Sequence, residues 1–192
     1  MFVLAGDFKR RQVGSLPKHW STRPILARIK KSLFDILKTR LAGAQFLDLF
    51  AGSGSVGLEA LSRGAEKVIF VDANPQCAKW ISKTVSEIAG ENARARCSVM
   101  CRDAFSAIDS LHEKFDLVFS GAPYVDKNKS ALFFIDRLLV ELDRRHTLKI
   151  KGWFIAQHQQ KETFTPGAHW DFFRQEKYGD TRLSFFEYVG PR

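Results

Sequence analysis

From Phe46 to Gly57 the chain reads FLDLFAGSGSVG, an apolar run broken by one acid and followed by three closely spaced glycines. Gly52, Gly54 and Gly57 match the pattern GxGxxG. After a strand and before a helix, glycines at this spacing permit a tight turn and bring backbone amides close to a ligand. Such a strand is buried only when helices cover it, so the rest of the chain has to supply more of the same alternation. The pattern predicts further strands over Lys67–Val71, Arg96–Cys101, Phe115–Phe119 and Trp153–Gln157. Helical stretches fall between them, one ending at Ser62 and others over Pro75–Ala89 and Ser130–Leu142. Two aromatic-rich runs follow, Trp170–Phe173 and Leu183–Val189, joined through the turn residues Tyr178-Gly179-Asp180. The expectation is a mostly parallel α/β sheet with an antiparallel hairpin at its edge. A chain of 192 residues buries one such core rather than two, so a single domain is expected.

Two acids narrow the ligand. Asp72 lies 20 residues after Gly52, at the end of the next strand, where a carboxylate can hold a ribose hydroxyl pair. That feature suits a dinucleotide and S-adenosylmethionine (SAM) alike. Asp48 favours SAM: from inside the first strand it can face the sulfonium and ammonium of a methionine end, whereas it would repel a pyrophosphate. An accidental acid there is the weaker explanation, because burying an unpaired carboxylate is costly. A dinucleotide stays open as the alternative, to be selected by tight NAD binding without SAM binding. Asp103 can accept from an adenine amino group, or serve as the N-cap of a helix over Ala104–Leu111. Tyr124, after Pro123 and the fourth strand, falls at the carboxyl edge of the sheet, where an aromatic ring can stack on an extruded base; alone, a Pro-Tyr pair is just as well a turn.

Charge is uneven. The chain carries +9, and its first forty residues hold ten basic against two acidic side chains. Such a block suits a polyanion, since each neutralised phosphate releases counterions; a solvated helix face accounts for it equally well. The segment through Pro17 reads as a strand pair or an arm. Beyond it, Ser21 or Thr22 can cap a helix with Pro24 in its first turn. Ile25, Ile29, Leu33, Ile36 and Leu37 recur at helical spacing, leaving Arg28, Lys30, Lys31 and Lys38 on a basic outer face that ends near Gly43. Three cysteines without a CxxC pair argue against a zinc site or disulfide framework and fit a reducing cytoplasm. No apolar run has the length of a membrane span.

These residues resemble the RsmD family, bacterial methyltransferases that modify a guanine N2 of 16S ribosomal RNA. The similarity spans nearly the whole chain. It includes Leu4-Ala5-Gly6 with Lys9–Arg11, Arg23-Pro24 with Arg28 and Ser32–Leu37, and Lys177–Thr181. Leu47–Ala65 (LDLFAGSGSVGLEALSRGA) is its most specific part. The resemblance implies a class I, Rossmann-like SAM-dependent methyltransferase with a seven-stranded sheet, residues 44–192 forming the core and 1–43 a basic extension for RNA contact. Asp48, Gly52 and Gly54, with Phe50 among them, would hold the methionine part of SAM, Asp72 the ribose and Asp103 the adenine. Lys9, Arg10, Arg11, Arg23, Arg28 and Lys31 would face RNA. The implied partner is 16S rRNA or a small-subunit assembly intermediate, met by a cytoplasmic monomer. The family's catalytic Asp/Asn-Pro-Pro-Tyr/Phe aligns with Gly121-Ala122-Pro123-Tyr124, so its acid or amide is absent, and Ile25 stands where the family usually has Thr. Beside an active rRNA guanine-N2 methyltransferase, the departure at Gly121 keeps a second expectation open: an RNA-binding homologue with impaired catalysis. A SAM enzyme acting on DNA or a small molecule is disfavoured by the basic N-terminal block.

Overall fold

All seven predicted runs form strands of one sheet. The computed structural model describes residues 2–13, 25–126 and 128–191. In chain order its elements are α1 (Ala27–Ile36), β1 (Gln45–Leu49), α2 (Ser55–Ser62), β2 (Lys67–Asp72), α3 (Pro75–Arg94) and β3 (Cys97–Cys101). Then come α4 (Ala104–Ser110), β4 (Phe115–Ser120), α5 (Ile135–Arg144), β5 (Leu148–Gln159), β6 (Trp170–Tyr178) and β7 (Thr181–Tyr188). The sheet order is β3-β2-β1-β4-β5-β7-β6. Pairing is parallel from β3 to β5 and antiparallel for β7 against β5 and β6. The parallel sheet with an antiparallel edge is the arrangement the alternation of elements predicts.

Strand alternation assigns the faces. Phe46, Phe70, Phe119 and Ile155 pack toward α1, α2 and α3, whereas Leu47, Val71, Val118 and Phe154 pack toward α4 and α5. β1 is central and covered on both sides, which is why its run is apolar apart from Asp48. From β1 the chain goes first to β2 on one side and later to β4 on the other, leaving a crevice beyond the carboxyl ends of β1 and β4. Open α/β sheets bind ligands at such a reversal.

The N-terminal expectations need correction. α1 begins at Ala27 with Leu26 in the N-cap position and no side-chain cap, not at Ser21–Pro24, which lie outside the described residues. It ends at Ile36, well before Gly43, with Leu37 at the C-cap and a turn following, and Leu37 and Leu41 are both buried. Lys30 is not on the outer face: it is 1% exposed, with Nζ donating to Phe2 O at 2.9 Å and 3.2 Å from Glu59. The first residues form an arm closed by an isolated antiparallel bridge, Phe2 with Gln12. Glu59 of α2, fully buried, anchors that arm by accepting from Leu4 N at 2.7 Å, Ala5 N at 3.0 Å and Arg63 Nε at 2.8 Å.

Elsewhere the differences are in extent. α3 runs beyond Ala89 only across a kink at Gly90, whose φ of +66° interrupts the helix. α5 starts at Ile135 rather than Ser130, since the chain before it makes a bridge between Val125 and Ala131. β6 is longer than its apolar run because β7 pairs with it along Thr181–Tyr188, and β5 extends at its start through a pairing of Leu148 with Phe115 of β4 and at its end through pairing with β7 as far as Gln159. Tyr178 OH hydrogen-bonds Ser32 Oγ, tying the hairpin to α1.

Candidate active site

A cavity of about 630 Å³ opens at the carboxyl ends of β1, β2, β4 and β5. Its first wall is the loop from Phe50 to Gly54. Phe50 and Gly54 both take positive φ, +57° and +73°, and Gly54 in this left-handed conformation stands at the N-cap of α2. Gly57 serves a different need: a Cβ there would come within 2.3 Å of the Phe70 ring, so only glycine lets α2 lie this close to β2. The glycine spacing is thus part loop geometry and part helix–strand packing.

Asp48 and Asp72 lie on the same cavity wall. Asp72 ties the loop to β2, its Oδ2 accepting from Gly52 N at 2.8 Å and its Oδ1 from Asn74 N at 2.8 Å. Asp48 is 1% exposed and accepts from Gly57 N at 2.9 Å. Burial pushes its carboxyl up to about 7, the Gly57 N–H opposing that rise and the Asp72 charge adding to it. A half-satisfied buried carboxylate beside a cavity favours a cationic group next to it, because the pair relieves the cost of holding the charge out of water. The walls therefore fit a ligand with a cationic end and a polar sugar. A pyrophosphate beside Asp48 would raise that cost instead.

The opposite wall is Gly121 to Val125. Gly121 N donates to Leu49 O at 3.2 Å, so this segment leaves β4 directly against the end of β1. Tyr124 is held from β5 and β7: Gln157 Nε2 donates to its hydroxyl at 3.0 Å, Gln159 Nε2 to its carbonyl at 2.7 Å, and the hydroxyl reaches Thr181 Oγ1 at 3.4 Å. Gln157 also lines the cavity and is not legible in the sequence, where it reads as the polar end of an apolar strand. Ile25, at the start of the α1 region, is buried against the same space.

The structure thus brings together Asp48, Phe50, Gly52, Asp72, Gly121, Ala122, Pro123 and Tyr124, with Gly54 directly behind the loop. Asp103 is not among the cavity-lining residues; its Oδ1 caps α4, accepting from Phe105 N at 3.0 Å and Ser106 N at 3.2 Å. Of the basic residues expected to face RNA, Lys9, Arg10 and Arg11 are exposed on the arm, and Arg28 and Lys31 on α1. Lys31 pairs with Asp35 at 2.7 Å, and Arg23 lies outside the described residues. Arg40 is occupied elsewhere, 3.9 Å over the Trp153 ring with Nη1 donating to Lys151 O. Among the described residues no helix is long and apolar enough to cross a membrane.

Comparison with known proteins agrees with this fold. The family described as Conserved hypothetical protein 95 matches residues 1–187. YlbH of Bacillus subtilis (strain 168) is 31% identical over 195 residues, covering 99% of this chain and all of that one. Ribosomal RNA small subunit methyltransferase D of Escherichia coli (strain K12) is 30% identical over 192 residues, covering 96% of this chain and 88% of its own. Among solved structures, yhhF of Escherichia coli superposes with a TM-score of 0.83 at 22% identity, over 100% of this chain and 99% of that one. An RNA methyltransferase from Salinibacter ruber, solved with S-adenosyl-L-homocysteine, superposes with a TM-score of 0.64 at 15% identity, over 88% and 95% of the two chains.

Proposed function

Since this chain belongs to the RsmD family, the one described as Conserved hypothetical protein 95, we propose that it transfers a methyl group from SAM to the exocyclic N2 of a guanine in 16S ribosomal RNA. The acceptor is the small subunit or an assembly intermediate of it, met in the cytoplasm by a monomer whose residues 44–192 form the catalytic core and 1–43 an RNA-contacting extension. The observation that carries the reading is the cavity itself: two acids on one wall and a base-sized aromatic on the other, at the reversal of the sheet.

SAM supplies an electrophilic methyl group on a sulfonium sulfur. The chain supplies position. Asp48 offers its charge to the cationic methionine end, Gly52 and Gly54 let the loop backbone approach, with Phe50 beside them, and Asp72 meets the ribose. Asp103 is assigned to the adenine through the oxygen its helix cap does not use. Gly121, Ala122, Pro123 and Tyr124 receive the base, the Tyr124 ring being fixed by Gln157 and Gln159 so that stacking on it costs little further ordering. Lys9, Arg10, Arg11, Arg23, Arg28 and Lys31 add phosphate contacts that bring RNA to the cavity mouth.

Gly121 favours a second reading, an RNA- and SAM-binding protein with impaired transfer, because one well-placed polar stabiliser is worth on the order of a hundredfold in rate. Mass mapping of 16S rRNA from cells with and without this protein decides. The proposal expects a guanine N2-methyl group that disappears with the protein; an unchanged methylation map refutes it.

A further inference from the structure

Gly121 leaves its side of the cavity without a side-chain acceptor, and the neighbouring strand carries one. Ser120 of β4 is paired in parallel with Ala156 of β5. Extending that register by one residue sets Gly121 beside Gln157, with the two side-chain directions on one face of the sheet. Both residues line the same cavity as Tyr124. The orientation of the Gln157 amide follows from its hydrogen bonds. The Tyr124 hydroxyl has one hydrogen, directed to Thr181 Oγ1, so its oxygen accepts from Gln157 Nε2. Oε1 therefore points away from Tyr124. It is buried and has no hydrogen-bond partner among the described residues. Buried amide oxygens in folded chains are nearly always satisfied, so an unsatisfied one on a cavity wall marks a place for an incoming donor. The last torsion of a glutamine is broad, so an entering amine can draw Oε1 toward the cavity as Nε2 gives up its contact with the Tyr124 hydroxyl, while Tyr124 stays tethered through Gln159 and Thr181.

We infer that Gln157 Oε1 accepts a hydrogen bond from the exocyclic amine of the target base, the task that Gly121 has no side chain to perform. The inference rests on the methyl-transfer reading above. In the transfer the amine nitrogen forms a bond to the methyl carbon while the carbon–sulfur bond breaks, its electron pair staying on sulfur. The products are S-adenosylhomocysteine and the methylated amine, and one amine proton leaves to water. Gln157 takes no proton. By holding one N–H it turns the amine so that the lone pair, otherwise delocalised into the ring, faces the methyl group.

The test uses Q157M, an uncharged replacement of similar length, with small subunits lacking the modification as acceptor and labelled SAM under single-turnover conditions. Q157M is expected to slow transfer ten- to a hundredfold while its SAM dissociation constant and melting temperature stay close to those of the wild type. Adding G121D to Q157M is expected to recover most of the rate. A Cβ at Gly121 would lie 3.3 Å from the Phe119 ring edge, so that ring has to give by a few tenths of an ångström to admit it. A second readout needs no catalysis: the Gln157 side-chain amide signals, assigned by their loss in Q157M, should shift with guanosine monophosphate and not with inosine monophosphate, which lacks the amine. Transfer by Q157M at the wild-type rate, or the same response to both nucleotides, overturns the inference alone. A wild type that moves no methyl group to RNA removes the proposed function and the inference with it.

Discussion

Replacing Asp48 with asparagine separates what this side chain costs the fold from what it gives the ligand. Burial lifts the carboxyl from an ordinary 3.8 to about 7. At roughly 1.4 kcal/mol per pH unit, ionising it in the empty protein costs at most ~4 kcal/mol. Between those two values the folded protein keeps a proton that the unfolded chain has released. This contribution to stability therefore falls as pH rises from about 4 to about 7, and the full penalty is present above 7. The amide of the D48N variant retains an acceptor for the Gly57 N–H and carries no charge. Water in the cavity screens part of the penalty, so D48N is expected to match the wild type near pH 4 and to exceed it by ~1–4 kcal/mol at pH 8. Urea unfolding of both proteins across this range reads the effect, and taking the difference removes other titrating groups. His158 is one of these: burial lowers it to about 4, and its contribution to stability is lost as pH falls below 6.5. SAM affinity should move the opposite way. A charge-assisted contact is worth about 1.5–3 kcal/mol, so D48N should bind SAM roughly ten- to a hundredfold more weakly, without the rise in affinity expected of the wild type from about pH 6 to 8. A D48N protein no more stable than wild type at pH 8, or binding SAM equally well, refutes the reasoning.

Three further outcomes follow from the packing. G57A forces a methyl group against the Phe70 ring and should cost ~1–3 kcal/mol, seen as a lower melting temperature with the same unfolding slope in urea. E59Q leaves Lys30 buried without its counter-charge and weakens the anchor of the N-terminal arm; a loss of about 3–5 kcal/mol in unfolding free energy and faster tryptic cleavage at Lys9–Arg11 are expected, and unchanged cleavage would contradict the anchoring role. The double change R10A/R11A, on two exposed residues, should reduce the slope of log affinity for RNA against log salt by about 1.5–2 while leaving SAM binding unchanged, as salt-series filter binding can check.

How much is legible in the sequence depends on how local the cause is. The glycine spacing, the strand alternation and Asp48 inside an apolar strand are local signals, and they locate the cavity and most of its walls. Lys30 reads as part of a solvated face because helical periodicity records where a residue lies, not that a carboxylate from α2 waits beneath it. The start of α1 is also not where local signals put it: the helix begins at Ala27 with Leu26 in the N-cap position and no side-chain cap, while Ser21, Thr22 and Pro24 lie outside the described residues. Asp103 carries two local readings, and the structure realises the helix cap. Gln157 carries no local signal. Its place beside Gly121 and Tyr124 follows from the β4–β5 register, a pairing between segments far apart in the chain.

Whether the cavity transfers a methyl group to ribosomal RNA can be measured directly. The purified protein is incubated with labelled SAM and small ribosomal subunits lacking the modification, and the 16S rRNA is then digested to nucleosides for mass identification of the labelled one. Label confined to N2-methylguanosine is the predicted result. SAM binding accompanied by no label in the RNA, or by label in any other nucleoside, would contradict it.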